Sequence, residues 1–541
     1  MMGRLSTLDW LIVAGYFVAT LIVAIWASRR ERQNSDTAQY FLAGRHTGWF
    51  IVGASLFASN IGSEHLVGLA GTGAASGIAV AQFEIMAGLV LLILGWVFVP
   101  FYLRSGVFTM PEFLERRYSS GARTYLATIS IISYVITKIS VTVAAGGIVF
   151  ETLMGIDFWT GAVIVVLFTG AYTLIGGLAA VMYTDMMQMF VLLGGSVFVT
   201  VIGVEAVGGW SALQAAAGPG YFDLWQPSTH PDFPWTGILF GAPILGVWYW
   251  CTDQFIVQRV LAAKNEAEAR RGAIFAGFLK QLPLFIFVVP GIVAYVLAKS
   301  GRIELASPDQ ALPALIAALL PAGLRGVVVA GLLAALMSSL SSVFNSCAAL
   351  ISIDVYKRIN PRASERKLVL VGQVAVGALV LLALAWIPMM SLISGRLYTY
   401  IQSVQAYISP PIAAVFLIGV MWPRANSQGA MASLLVGFAL GIGRLLLEMN
   451  ASSLSGVPLW LAKVNFLHVA VVLFAICSLV LVAVSLATAR PPAEKVRNLT
   501  FSTLEGTAAK RALASGITSA DWILSGALVL LICVIWFVFS G

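Results

Sequence analysis

Long, continuous runs of apolar residues, separated by short polar stretches, make up most of the chain. A helix needs about 20 mostly apolar residues to cross a bilayer, whereas the strands of a membrane barrel alternate over about 10 residues. The pattern therefore predicts an all-α integral membrane protein with about 14 transmembrane helices. The predicted limits are 8–27, 48–71, 77–103, 124–153, 158–178, 182–204, 236–257, 272–299, 322–352, 367–388, 395–421, 427–448, 464–488 and 519–540.

Basic residues lie mainly between the apolar runs, and they favour one side of the membrane. With the N-terminus outside, the inside loops hold 23 of the 32 Lys and Arg residues, and the outside segments hold five. Because positive charge accumulates in inside loops, this count predicts that both termini lie outside. The first apolar run is interpreted as a retained helix and not a signal peptide, because three arginines follow it and one precedes it.

Composition excludes several classes of protein. Only 10% of the residues are charged and 59% are hydrophobic, whereas soluble domains carry about 25% charged residues. The net charge of +8 is spread over short loops, which argues against a nucleic-acid partner. The four cysteines form no CxxC pair and are interpreted as packing residues. No Walker loop, dinucleotide fingerprint or zinc motif occurs, so we expect no enzyme.

Small and polar residues interrupt the second predicted helix at 58–65, with the sequence ASNIGSEH. Polar groups inside a membrane helix are expensive, so this cluster indicates a functional role. A broken helix would free backbone carbonyls to bind a cation or a substrate. The alternative is a close-packing face formed by Ser59, Gly62 and Ser63.

Further polar and aromatic positions occur in the third, seventh and eighth helices. Glu84 must face a partner or a wet cavity; it could accept sugar hydroxyls, or pair with Lys138 or Lys280. Lys280 could reach that cavity or snorkel to the inside interface. The aromatic run 248–250 could pack against a sugar and gate a cavity, or could belong to an interfacial belt.

The ninth helix gathers serine hydroxyls on one broad face, because Ser338 and Ser341, and likewise Ser339 and Ser342, are three residues apart. Hydroxyl and carbonyl oxygens suit a hard cation such as sodium. Hydrogen bonding between helices is the alternative. Asp185, near the inside end of the sixth helix, is either a second cation ligand or a helix N-terminal residue.

Short stretches occur in a fixed order within residues 10–490: SLFASNIGSEH at 55–65, GLAGTGAASGI at 68–78, GGLAAV at 176–181, WYWCTDQ at 248–254, YIQ at 400–402 and PPIAAVF at 410–416. In this order they resemble the sodium/solute symporter family, specifically its sodium/glucose cotransporter branch. The resemblance implies a LeuT-type inverted 5+5 helix repeat core with extra N- and C-terminal helices, and a substrate site at mid-membrane. The implied segments are 1–47 (extra helix and cytoplasmic loop), 48–206 (first repeat), 207–235 (outside loop), 236–421 (second repeat), 422–488 (two additional helices), 489–518 (cytoplasmic linker) and 519–541 (last helix).

The resemblance also implies the residues of the site. The expected substrate contacts are His65, Glu84, Lys280 and Gln402, with the aromatic residues Trp248, Tyr249 and Trp250. The expected gating residues are Leu69, Phe83, Tyr249 and Tyr398. The first sodium site would use the carbonyls of Ala58, Ile61 and Ala335 and the hydroxyls of Ser338 and Ser339. A second sodium would use Ser59, Asp185, Ser341 and Ser342.

Two departures from the family pattern bear on these expectations. Gly246 stands where relatives often place a polar residue that contacts the sugar, which leaves the identity of the sugar open. Ser341 carries a hydroxyl where single-sodium relatives tend to have alanine, which favours two sodium ions in each cycle.

The expected function is a sodium:sugar symporter for a glucose- or galactose-like hexose that works by alternating access, with the sugar, sodium ions and the lipid bilayer as its partners. A symporter for another solute (myo-inositol, sialic acid or proline) and a sugar sensor without net transport are the alternatives. Short outside loops without cysteines favour a bacterial inner membrane. The sequence gives no indication of oligomeric state.

Overall fold

The computed structural model describes residues 5–31, 37–62, 64–386, 397–504 and 516–541. Within these ranges the chain is helical, and ten helices are long and apolar enough to cross a membrane. Their bounds are Thr7–Arg29, His65–Ser105, Ser120–Met154, Gly176–Ala206, Glu266–Lys299, Leu324–Ile359, Ile401–Met421, Ser427–Met449, Phe466–Ala487 and Ser519–Val538. The all-α membrane fold is confirmed. The count of fourteen stays a prediction, since two further apolar helices, Trp49–Asn60 and Phe158–Leu174, are shorter than a full span.

The second predicted helix is interrupted, as its polar cluster indicates. Helix Trp49–Asn60 ends at Ile61, whose backbone leaves the helical region at φ −71° and ψ 88°. Helical structure resumes at Glu64–Leu69 and continues through Ala70–Ser76. Ser63 lies outside the described residues. This pair of half-helices is called the first broken helix below, and its break confirms the prediction.

The predicted helix 236–257 is also divided. A π-helical segment, Val247–Thr252, leads into Asp253, which has extended backbone at φ −78° and ψ 127°. The chain then forms helix Gln254–Leu261, which Asp253 caps by accepting a hydrogen bond from the backbone nitrogen of Phe255 (3.2 Å). These two segments are called the second broken helix. Its helical end lies four residues beyond the predicted limit.

The core of the molecule is formed by two long, packed helical segments. The run Phe158–Ala206 turns sharply at Gly177, where φ is 57°. A Cβ atom at this position would lie 2.6 Å from the Tyr40 carbonyl oxygen, so glycine alone fits the bend. Helix Leu324–Ala349, called the serine helix below, is buried along nearly its whole length. The Tyr172 hydroxyl donates to the Met337 carbonyl (3.1 Å) and joins the two segments.

Loops predicted to lie on one side of the membrane meet at one end of the molecule. Contacts between predicted inside segments include Arg104 with Glu266 (2.7 Å), Arg123 with Asp354 (2.7 Å) and Lys495 with the Glu115 carbonyl (2.8 Å). Contacts at the predicted outside ends of helices and in the outside loop 207–235 include Gly323 with Asp9 (2.7 Å), Lys299 with the Ala216 carbonyl (3.2 Å) and Leu224 with the Phe539 carbonyl (2.9 Å). The predicted alternation of loops is therefore consistent with the fold.

The last helix, Ser519–Val538, is fixed at both ends. Near its start, Asp521 pairs with Arg270 (2.9 Å), and both side chains are buried. Near its end, the Trp536 indole nitrogen donates to the side-chain oxygen of Gln82 (2.7 Å). The helix therefore packs as an integral part of the bundle.

Candidate substrate and cation sites

A cavity of about 70 Å³ lies between the two broken helices. Helix Gln82–Ile93, helix Leu397–Met421, the segment Ala242–Gly246 and Lys138 of helix Ser120–Met154 supply the rest of its wall. The residues expected at the site that line the cavity are His65, Phe83, Glu84, Tyr249, Trp250, Tyr398 and Gln402. Leu69, Trp248 and Lys280 are buried nearby but are not part of its surface.

Glu84 is the centre of a buried polar cluster on the cavity wall. His65 Nε2 lies 3.1 Å from Glu84 Oε1, and the Lys280 ammonium donates to Glu84 Oε2. Lys280 also donates to the side-chain oxygen of Asn60, the last residue before the break in the first broken helix. Lys280 is fully buried, so it does not snorkel to the interface. Of the two lysines considered as partners of Glu84, Lys280 is the one that forms the ion pair.

Tyr249 lines the cavity from the second broken helix. Its hydroxyl accepts hydrogen bonds from the Asn60 amide (3.0 Å) and from the Lys138 ammonium (3.3 Å). The Lys138 ammonium also lies 4.8 Å from the centre of the Tyr249 ring, within cation–π range. The sequence analysis assigns no such role to Asn60 or Lys138, because their partner is more than a hundred residues away along the chain. Two residues from two other segments, Asn60 and Lys138, thus hold the aromatic side chain in place.

Two further aromatic rings, Phe83 and Tyr398, line the cavity. Phe83 contacts Tyr398 edge to face, with ring centroids 6.1 Å apart, and makes a similar contact with Phe233. Gln402 lies one turn beyond Tyr398 on the same helix and is half-buried at the cavity wall. The cavity wall therefore combines aromatic rings with polar groups, a lining suited to a small polar molecule with apolar faces.

A second polar cluster surrounds Asp185 in the core. The carboxylate accepts hydrogen bonds from the hydroxyls of Ser55 (2.6 Å), Ser59 (2.9 Å) and Ser338 (2.5 Å). These serines come from the first broken helix and the serine helix, so the cluster joins three helices. Asp185 lies two turns beyond the bend at Gly177, and it is therefore not a helix N-terminal residue.

The remaining residues expected at the sodium sites gather around the same junction. Ser339 donates to the Ser59 carbonyl (3.4 Å), which lies between Ala58 and Ile61 on the chain. Ala335 lies one turn before Ser339 on the serine helix. Two other contacts complete the set: Ser342 with the Ser59 hydroxyl (3.1 Å), and Ser341 with the Ser338 carbonyl (3.0 Å). The serine face therefore makes the hydrogen bonds between helices and also concentrates oxygen atoms.

Arg259 is a member of this cluster that the sequence analysis misplaces among the inside-loop residues. It is fully buried, its Nε donates to the Ser59 hydroxyl (2.9 Å), and its Nη2 donates to the Ser342 hydroxyl. Nη2 also lies 3.9 Å from Asp185 Oδ2. Arg259 is assigned to a loop because the predicted seventh helix ends at residue 257. The apolar residues between Asp253 and Arg259 indicate that the helix and its burial continue further.

Two solved structures share this fold. A substrate-bound, outward-open Na⁺-coupled sialic acid symporter matches 90% of this chain and 99% of its own, with a TM-score of 0.75 and 20% identity. Mhp1, a nucleobase-cation-symport-1 family transporter in a closed conformation, matches 86% of this chain and 98% of its own, with a TM-score of 0.54 and 14% identity. This likeness confirms the expected LeuT-type architecture. The limits of the two repeats stay predictions.

Other relatives are more similar to this chain in sequence than these two structures are. The chain is 38% identical to rabbit (Oryctolagus cuniculus) sodium/glucose cotransporter 1 over 537 residues, which cover 91% of this chain and 81% of that one. It is also 38% identical to the human sodium/myo-inositol cotransporter over 551 residues, covering 93% and 76% of the two chains. The model of the sodium:solute symporter family matches residues 40–437. The chain therefore belongs to the sodium:solute symporter family, and it is a sodium-coupled transporter and not an enzyme.

Proposed function

We propose that the protein is a sodium:sugar symporter that carries a hexose by alternating access. Its most similar relatives include sodium/glucose cotransporters, and the family fixes sodium as the coupling ion. The single observation that carries the proposal is the juxtaposition of two clusters. The Glu84 cluster lines a cavity between the broken helices, and the Asp185 cluster lies where the first broken helix meets the serine helix.

The Glu84 cluster offers complementary groups to sugar hydroxyls. Glu84 accepts hydrogen bonds, and bonds to an ionised carboxylate are stronger than bonds between neutral groups. His65 Nδ1 is buried and has no hydrogen-bond partner among the described residues, so it is available to a hydroxyl. Gln402 adds an amide that both donates and accepts. Trp250 and Tyr249 provide aromatic surface for the apolar faces of the ring.

Sodium would couple to the sugar through the first broken helix. An ion held by the carbonyls of Ala58 and Ile61 and by the hydroxyl of Ser339 bridges that helix to the serine helix. Bridging favours the conformation in which the two helices are close, and only such differential binding can drive a conformational change. Asn60, which lies between Ala58 and Ile61, contacts both Lys280 and Tyr249. The ion is thus connected to the sugar cavity within one helical turn.

We further propose a second sodium at Ser59, Asp185, Ser341 and Ser342. One charge that crosses about 100 mV releases about 2.3 kcal/mol, and a tenfold sodium gradient adds about 1.4 kcal/mol. One ion therefore sustains a sugar gradient of roughly 500-fold, and two ions sustain about the square of that. The number of ions decides how far the protein can concentrate its substrate.

A cyclic polyol such as myo-inositol is the second candidate substrate. The bovine sodium/myo-inositol cotransporter is 39% identical over 551 residues, so identity does not separate the two substrate classes. Gly246 bears on the choice between a hexose and a cyclic polyol. A Cβ atom at Gly246 would lie 2.9 Å from a Val90 methyl, and glycine offers no side chain at this part of the wall to bind a polar group of the substrate.

Uptake by purified protein in proteoliposomes tests the proposal. An inward sodium gradient should drive accumulation of one labelled hexose from a panel, and a potassium gradient should not. Unlabelled myo-inositol, sialic acid and proline serve as competitors, and the strongest competitor identifies the substrate class. Binding without sodium-driven accumulation would contradict symport and favour the sensor. Glu266→Gln, in an ion pair at the molecule's end, is the matched control for variants of Glu84.

The protein is a multi-pass membrane protein, and we propose that both of its termini lie outside. The 23-to-5 distribution of Lys and Arg supports this orientation. Tags at either end should be accessible to a protease in sealed, right-side-out vesicles, whereas a tag inserted near residue 360 should be protected. A bacterial inner membrane stays a prediction, since the relatives reported above are vertebrate proteins.

A further inference from the structure

Arg259 lies where the proposed second sodium needs its oxygen ligands. Its guanidinium donates to the hydroxyls of Ser59 and Ser342, which are two of the four residues expected to hold that ion. A hydroxyl oxygen has two lone pairs, and Ser59 Oγ already accepts from Arg259 and from Ser342 while it donates to Asp185. A sodium ion and the guanidinium therefore compete for the same lone pairs.

Electrostatics makes the competition stronger. Asp185 is fully buried and its charge must be compensated by a nearby positive charge. The guanidinium supplies one such charge, with Nη2 at 3.9 Å from the carboxylate, and a sodium ion would supply the same. Two positive charges held beside one carboxylate repel each other, and burial weakens the screening of that repulsion. Arrival of the ion therefore favours departure of the guanidinium.

A second docking position for the guanidinium lies close by at Asp253. Oδ1 of Asp253 accepts from the Tyr134 hydroxyl, whereas Oδ2 is buried without a hydrogen-bond partner among the described residues. The Arg259 side chain already reaches back to the first turn of its own helix, where Nη1 donates to the Phe255 carbonyl. Asp253 caps this same turn, so the guanidinium already points towards the end of the helix that carries Oδ2.

We infer that Arg259 is a tethered cation that exchanges with the second sodium. The guanidinium holds Ser59, Ser342 and Asp185 while no sodium is bound there, and it moves to Asp253 Oδ2 when the ion arrives. This inference rests on the proposed second sodium site. Because Asp253 forms the break of the second broken helix, directly after the segment that carries Tyr249, the exchange connects the ion to the inner side of the sugar cavity.

Sodium activation of transport in proteoliposomes, at saturating sugar, tests the exchange. Arg259→Gln removes the competing cation, so the sodium concentration for half-maximal rate should fall. A fall of about fivefold or more is expected, since coupling between two sites typically changes affinity by at least that factor. Asp253→Asn keeps the helix cap but removes the second docking charge, so this concentration should rise by a similar factor. Arg270→Gln is the matched control, since Arg270 is another buried arginine in an ion pair, and it should leave sodium activation unchanged.

Further measurements distinguish failure of the exchange from failure of a variant to fold and from absence of the second sodium. Arg259→Lys keeps the charge, but lysine has no planar group that can reach two serines at once. It should therefore shift sodium activation in the same direction as Arg259→Gln, by a smaller factor. Arg259→Lys is used in place of Arg259→Gln if gel filtration shows that the glutamine variant does not fold. Unchanged activation, or shifts of the same sign in Arg259→Gln and Asp253→Asn, would overturn the exchange. A wild-type ratio of one charge per sugar would remove the second site and the exchange together, and would leave symport standing.

Discussion

Glu84 and Asp185 are both buried carboxylates in the membrane core, and their charges are balanced in different ways. Glu84 contacts two basic side chains directly, with His65 at 3.1 Å and Lys280 in hydrogen-bond contact. Asp185 is in contact with three serine hydroxyls, and the nearest guanidinium nitrogen of Arg259 is 3.9 Å away. One carboxylate has its cation in contact, whereas the other has hydroxyls in contact and its cation at the edge of ion-pair range.

This difference corresponds to two kinds of ligand. A carboxylate bound to a fixed ammonium stays ionised and can offer its other lone pairs to neutral hydroxyl donors, which suits a sugar. A carboxylate enclosed by hydroxyls is surrounded by oxygen atoms that can turn towards a small cation. Only the Glu84 cluster lines the described cavity, which agrees with the larger size of a sugar. The comparison predicts that variants in the two clusters separate sugar effects from sodium effects.

The largest effect is expected for Glu84→Gln. The change leaves the Lys280 ammonium buried without its carboxylate, and removal of one partner from a buried ion pair costs about 3–5 kcal/mol. Sugar transport efficiency, measured as initial uptake rate over half-saturating sugar concentration, should fall by about a hundredfold or more. Sodium binding, measured by sodium-dependent thermal stabilisation without sugar, should be retained.

The double variant Glu84→Gln with Lys280→Met provides the control for folding. Removal of both charges should restore thermal stability towards that of the wild type, since replacement of a buried ion pair by apolar groups is often neutral. Transport should not return, because the acceptor for sugar hydroxyls is gone. Recovery of transport along with stability would show that Glu84 is a structural residue only.

The next effect is expected for Asp185→Asn. Loss of the carboxylate removes the negative charge that attracts the second ion, so the charge moved per sugar should fall from two to one. Reversal potentials measured at several sodium and sugar gradients give this ratio. The sugar concentration for half-maximal rate at saturating sodium should change little. A ratio of two in the variant would place the second ion elsewhere and would end the contrast with Glu84.

The broken first helix could be predicted because its signal is local. Polar residues and Gly62 interrupt an apolar run, and the structure unwinds at Ile61. The need of Glu84 and Lys280 for a partner or a cavity is predictable in the same way, since each is a charged residue within an apolar helix. Choosing Lys280 over Lys138 required the structure, because both lysines lie in helices and sequence distance does not reveal which helices are neighbours.

Other parts of the site depend on contacts between distant segments. Arg259 follows the predicted helix 236–257 and resembles a basic loop residue in the sequence. In the structure it is buried, and Ser59 and Ser342 accept its hydrogen bonds from 200 and 83 residues away. Asn60 gains its role in the same way, from Tyr249 on the second broken helix. Local composition indicates that a polar residue needs partners, and the tertiary fold decides which partners those are.

A smaller effect on the sugar cluster is expected for Gln402→Ala. Loss of one neutral hydrogen-bonding side chain at the cavity wall should raise the half-saturating sugar concentration by about tenfold, equivalent to about 1.4 kcal/mol. Sodium activation at saturating sugar should stay unchanged. Gln373→Ala is the matched control, because Gln373 donates to the Leu174 carbonyl (3.3 Å) outside the cavity. Equal effects of the two variants would show a general loss of packing.

The smallest effect is expected for Ser341→Ala, in the other cluster. A neutral hydroxyl contributes about 1 kcal/mol when it binds a partner, so its loss should raise the half-saturating sodium concentration by about fivefold. The sugar dependence at saturating sodium should be unchanged, in contrast to Gln402→Ala. Ser346→Ala is the matched control, since Ser346 lies on the same serine helix and bonds to the Ser342 carbonyl (2.8 Å) and to Gln258 (3.1 Å). If Ser341→Ala altered sugar dependence but left sodium activation intact, the division of labour between the Glu84 and Asp185 clusters would be wrong.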